Sequence, residues 1–167
     1  MSEAQATNDT GMNKEQLDAF LEAVFAGLPL GEAAGVSKET IEAGYGLAFS
    51  LYNSGNFKDA ETMFGALCLY NHQEERFWMG LGGCRQMNGN LDGAIDAYGM
   101  ATFMGSLGSP APSVHAGLCY LKKGDKENAR ALFDAAVELG DSKNQEHLAY
   151  HDRARAMLDL LQKEARA

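Results

Sequence analysis

The sequence predicts an all-α protein, a superhelical solenoid of three helical hairpins set between an N-terminal amphipathic helix and a C-terminal capping helix. Three observations point there. Alanine, leucine, glutamate, methionine and glutamine dominate long spans interrupted only by Pro29, Pro110 and Pro112, a composition that favours helix over strand. Apolar residues make up 46% of the 167 positions, enough for one continuous core. The chain also repeats itself at the period of a helix pair.

Residues 1–12, MSEAQATNDTGM, are polar and aperiodic and are expected to form a flexible lead. Residues 13–36 hold the N-terminal helix and a linker. Asn13 with Gln16 has the spacing of a capping box, and Leu17, Phe20, Leu21, Val24 and Phe25 then recur at helical spacing until Gly27. Two readings of this stripe stay open. It covers the first hairpin, or it is a dimerisation surface, because two phenylalanines on a short helix ask for a large partner.

Residues 37–140 carry the repeats. NSGNFKDAETMFGAL (53–67) aligns with MNGNLDGAIDAYGMA (87–101) and KKGDKENARALFDAA (122–136), so Gly55 recurs 34 residues on at Gly89 and 35 further at Gly124. The extra residue falls in the loop around Pro110 and Pro112. Each glycine ends a first helix in the left-handed conformation. Ala60, Ala94 and Ala129 are small because two helices touch there, and Phe64, Tyr98 and Phe133 fill the space between hairpins.

Upstream, Leu47-Ala48, Leu81-Gly82 and Ala116-Gly117 are equivalent pairs, a core residue followed by a small one, and Trp78 takes the large-residue position of its repeat. The pattern resembles the tetratricopeptide consensus. The glycine-rich run FWMGLGGCRQMNGN (77–90) is therefore helix packing; a phosphate-binding loop would need a preceding strand, and HQEER (72–76) is not one. Residues 141–167 read as the capping helix, opened by Ser142 with Gln145 and running to about Glu164. Leu148, Met157, Leu158 and Leu161 lie on one side, with Arg153, Arg155 and Lys163 among its charges.

Charge and chemistry remove several functions. A net charge of −9 disfavours nucleic acid as a direct partner. No apolar run of about eighteen residues suggests a membrane span, and a cytosolic, soluble chain is expected. Cys68, Cys84 and Cys119 lack redox or metal spacing and read as small buried groups. His147 and His151 form half a metal site without a third ligand, so two histidines on a solvated helix face are expected. No catalytic constellation, metal or cofactor is expected.

In a superhelix of hairpins the first helices line the concave face. Tyr45, Phe49 and Tyr52 form one stripe of the first such helix, beside Asn53. The repeat shift carries that stripe to Met79, Gly83 and Gln86, beside Met87, and then to Val114, Leu118 and Leu121. These rows predict an apolar groove with an aromatic side, a glycine floor at Gly83 and polar contacts at Asn53 and Gln86. An extended peptide suits it. The alternative is that these side chains pack under flanking helices.

The segments AGYGLAFSLYNSGNF (43–57), FGALCLYNH (64–72) and RFWMGLGGCRQ (76–86) resemble the class II chaperones of bacterial type III secretion systems, the LcrH/SycD family. The resemblance covers roughly residues 14–140 and accounts for Gly80 and Gly83. It implies a cytoplasmic bacterial chaperone, with no enzymatic activity, that keeps hydrophobic translocator proteins soluble by holding an extended N-terminal segment of them in its groove. By position, Tyr45, Phe49, Tyr52, Met79, Gln86, Met87 and Leu118 would form the pockets, and the N-terminal helix would make a homodimer. The third repeat, SPAPSVHAGLCY (109–120), departs from the family wording. A structural tetratricopeptide adaptor, docking a folded partner with its groove self-filled, is the alternative.

Overall fold

A single dipeptide makes each hairpin turn. In the computed structural model, which describes residues 13–166, Gly55, Gly89 and Gly124 have φ of +83°, +83° and +80°. After each, the next amide reaches back to a carbonyl five residues earlier: Asn56 to Leu51 (3.0 Å), Asn90 to Arg85 (2.9 Å) and Asp125 to Tyr120 (3.0 Å). This closes the preceding helix as a Schellman motif. The side chains of Asn56, Asn90 and Asp125 then accept from the amides of Asp59, Gly93 and Asn128, capping the following helix. Ending and starting are thus encoded in two residues. The flexible lead expected over residues 1–12 lies outside the described residues.

Nine helices result among the described residues, with no strand: α1 (Lys14–Phe25), α2 (Leu30–Ala33), α3 (Lys38–Asn53), α4 (Phe57–Tyr70), α5 (Glu75–Met87), α6 (Leu91–Met104), α7 (Ala111–Lys122), α8 (Lys126–Glu138) and α9 (Gln145–Glu164). From α3 to α9 each helix packs on the next, and α7 also touches α9. The hairpins α3/α4, α5/α6 and α7/α8 stack as a solenoid, and α9 closes the end. At the α6–α7 connection Ser106 and Leu107 adopt φ of +53° and +60°, which absorbs the extra residue. Pro112 sits in the first turn of α7, where a missing amide breaks no helical bond.

The core is a ladder of small residues facing rings. Ala60, Ala94 and Ala129 are fully buried, as are Phe64, Tyr98 and Phe133. A Cβ placed on Gly82 would stand 2.6 Å from the Tyr98 ring, and one on Gly117 would stand 2.7 Å from Phe133. Gly80 is tighter still: its Cβ would lie 2.2 Å from Phe64, a ring of the preceding hairpin. Backbone and ring meet with no room for a methyl group.

Four expectations change. Leu47, the supposed core partner of Ala48, is 53% exposed, because the position that Leu81 and Ala116 bury against a preceding hairpin faces no hairpin in the first repeat. The last helix is capped by Asn144, not Ser142; the Asn144 side chain accepts from the Glu146 and His147 amides. The two histidines do not sit on a solvated face. His151 is buried and its Nε2 donates to the Leu139 carbonyl (2.7 Å), while His147 Nδ1 accepts from the Asp141 amide (2.9 Å), so both pin the α8–α9 turn. Finally, α1 has the Asn13–Gln16 capping box but buries none of its residues and rests lightly on α2, so it does not cover the first hairpin.

Replacing Gly80 with alanine is expected to destabilise the fold by about 1–3 kcal/mol through overpacking. Gly65→Ala, on the open face of α4 with nothing within 4 Å, should be neutral or stabilising by up to about 1 kcal/mol. Urea unfolding followed by circular dichroism compares the two.

Candidate functional site

Side chains from α3 to α7, with α9, converge on one open cavity of about 590 Å³, within the size range of sites that bind small groups or peptide side chains. Helix α3 contributes Tyr45, Phe49 and Tyr52, and α5 contributes Met79, Gly80 and Gly83. Their rings form an aromatic wall in two groups. Tyr45 stacks on Phe49 (6.2 Å between centroids) and meets Phe64 edge-on (6.0 Å), while Tyr52 meets Phe57 edge-on (5.3 Å). Phe49 is 51% exposed, while Tyr45 and Tyr52 are half-buried against the core and line the cavity with the rest of their rings.

Gly83 is the floor beneath Tyr52: a Cβ there would approach the Tyr52 ring to 3.3 Å. Arg76 fixes the other ring. Its guanidinium lies 4.8 Å from the Tyr45 centroid and bonds Glu42 (2.7 Å) across to α3 and Glu74 (3.1 Å) beside it. The cation–π contact and the Glu42 bond hold Tyr45 between α3 and α5. Asn53 and Met87 are exposed at the far ends of α3 and α5 and are not among the cavity's lining. Gln86 is also outside the lining; it accepts from the Tyr98 hydroxyl (2.8 Å) and so braces a core ring.

The third row does not join the groove. Val114 is fully buried, and Leu118 and Leu121 pack in the same cluster with Ala154, Met157 and Leu161 of α9. Val114 is core, while Leu118 and Leu121 are half-buried against the cluster that α9 helps to form, and none of the three lines the cavity, which corrects their placement in the groove. In their place stand residues absent from the sequence reading: His115 from α7, Tyr150 from α9, Ser109 from the α6–α7 turn, and Glu75. His115 stacks on Tyr98 (5.3 Å) and meets Tyr150 edge-on (5.9 Å). The signal was present: His115 occupies the repeat position of Gly80, which likewise receives an aromatic ring from the hairpin before it.

Burial sets the protonation of these groups. It pulls the His115 imidazole below its ordinary value, with Arg153 adding to the effect. Burial likewise raises the Glu75 carboxyl and the Tyr52 and Tyr150 hydroxyls. Nothing here pairs a nucleophile with a base, and among the described residues no three His, Cys, Asp or Glu side chains are placed to share a metal ion. No helix among them is long and apolar enough to cross a membrane.

Known proteins share this architecture. The tetratricopeptide repeat family is matched over residues 45–105 and again over 114–139. The low calcium response locus protein H of Yersinia pestis is 37% identical over 135 residues, spanning 81% of this chain and 78% of that protein. A type III secretion complex from Aeromonas hydrophila superposes with a TM-score of 0.81 at 33% identity, covering 89% of this chain and 97% of the other. The Yersinia enterocolitica type III secretion chaperone SycD, solved in complex with a peptide of the translocator YopD, superposes with a TM-score of 0.72 at 35% identity, covering 78% and 98%.

The cysteines take no part in the cavity's chemistry. All three are free and buried, and burial pushes the Cys68 thiol up to about 12 and Cys84 to about 11. A thiol so far from ionisation is a poor nucleophile. Native protein at pH 8 should therefore react with a disulfide reagent such as dithiobis-nitrobenzoate at least about a hundredfold more slowly than urea-unfolded protein; stopped-flow absorbance measures both rates.

Proposed function

The chain belongs to the LcrH/SycD family of type III secretion chaperones, and we propose that its concave groove holds an extended segment of a hydrophobic translocator protein, keeping that client soluble and competent for secretion. The observation that carries this reading is the open aromatic wall of Tyr45, Phe49 and Tyr52 on a cavity of about 590 Å³, in a chain whose relative SycD was crystallised with a translocator peptide. Three apolar side chains seated there would contribute roughly 1.5–3 kcal/mol each before ordering costs. An extended strand of peptide, stiffened by proline, minimises those costs.

The role is binding in the bacterial cytoplasm, without catalysis. A net charge of −9 suits a holder of membrane-active clients, because it repels anionic lipid. The adaptor alternative requires a groove filled by the protein's own side chains; among the described residues it is open, which favours the chaperone.

Phe49→Glu is the cleaner probe, since Tyr45 also packs on Phe64 and Phe77. It should leave far-UV circular dichroism unchanged and reduce co-purification of a co-expressed translocator at least about tenfold. Undiminished co-purification would remove the groove from the account.

The apolar stripe of α1 supports a second element of the proposal, a homodimer. Phe25 is 87% exposed, Leu21 and Val24 are exposed beside it, and Leu17 and Phe20 are only part-covered. Pairing two such stripes would remove them from water. Leu21→Asp with Phe25→Asp should turn a dimer into a monomer in light scattering; a dimer that persists would place the interface elsewhere.

A further inference from the structure

The groove is chemically two-ended. Toward α3 it is aromatic and aliphatic. On the lip where α5 begins it carries one carboxylate, Glu75, whose Oε2 lies so close over the α6–α7 turn that a Cβ on Gly105 would stand 2.4 Å from it. Glu75 lines the same cavity as Tyr45 and Phe49, and among the described residues it makes no hydrogen bond or ion pair.

The neighbouring cations leave it so. Arg76, next in sequence, is held by Glu42 and Glu74. His147, its Nδ1 engaged by the Asp141 amide, is outweighed at Glu75 by burial and by Glu74. Arg153 acts on His115 rather than on Glu75. Burial and the adjacent Glu74 both raise the Glu75 carboxyl, the direction expected of an acid lacking a counterion. A cation arriving beside it would reverse that cost, and the ring of Tyr150 on the same cavity would favour its positive charge further.

We propose that the groove selects a client segment carrying a lysine or arginine beside its apolar anchors, with the Glu75 carboxylate as the group that receives the cation. The inference rests on the chaperone reading and adds to it a charge requirement that aromatic pockets alone would not impose. The acidity of the whole chain, −9, draws such a segment in, and Glu75 fixes its register.

The test uses overlapping synthetic peptides spanning the N-terminal region of a translocator, read by fluorescence anisotropy against the full chain. The tightest peptide should contain a basic residue, and changing that residue to glutamate should weaken binding roughly tenfold. Glu75→Lys should then bind the charge-reversed peptide more tightly than the unaltered protein does. Glu75→Gln, which keeps size and shape, should weaken the original peptide while its thermal midpoint stays unchanged. The inference is overturned if the tightest peptide lacks a basic residue, or if charge reversal weakens binding equally for the unaltered protein and for Glu75→Lys. Phe49→Glu separates the two levels: if it binds every peptide as well as the unaltered chain does, the groove reading itself fails, and the charge requirement with it.

Discussion

Everything in this molecule follows from rings pressed onto backbone. Phe64 against Gly80, Tyr98 against Gly82 and Phe133 against Gly117 bring helices closer than any side-chain pair would allow. Dispersion falls off steeply with separation, so each missing methyl group converts to close contact over a whole ring. Because one of these contacts links two hairpins and the others lock a hairpin internally, the same device sets both the unit and its stacking. The concave face exists because the first helices of the units are held side by side at that spacing.

How much of this was legible depended on whether a residue's environment lay within its own repeat. The turn glycines, the alanines at helix contacts and the interleaved aromatics answer to neighbours a fixed distance away in sequence, so periodicity exposed them. Leu47 and Val114 did not follow, for complementary reasons. Leu47 needs a preceding hairpin and has none, so a consensus core position faces water. Val114, with Leu118 and Leu121, packs in the cluster that α9 completes, a helix outside the repeat register, so a stripe that lines the cavity in earlier units lies outside it here. Ends of a repeat array are where translational reasoning stops.

The polar half of the groove was missed for a related reason. The concave positions that depart from the consensus are hydrophobic, whereas Glu75 and His115 enter the cavity from a helix start and from a packing position. The histidines of α9 show the converse. Their spacing suggested a metal half-site or an exposed face, and the α8–α9 turn engages both through backbone hydrogen bonds instead. An imidazole's role is decided by which carbonyl or amide comes to it, and that information is tertiary.

The two ends of the stack are unequal. At the carboxyl end α9 buries Ala154 and Leu161 and seals the last hairpin, while at the amino end α1 and α2 leave Leu47 in water. In a linear array, resistance to local opening is a sum over adjacent contacts, so α3 and α4, with only one full neighbour, form the weakest of the three hairpins. Among the three hairpins, amide exchange would accordingly run fastest there. The hairpin least secured by the chain's own contacts is also the one that displays its richest aromatic surface, so whatever lies across those rings acts as the missing brace.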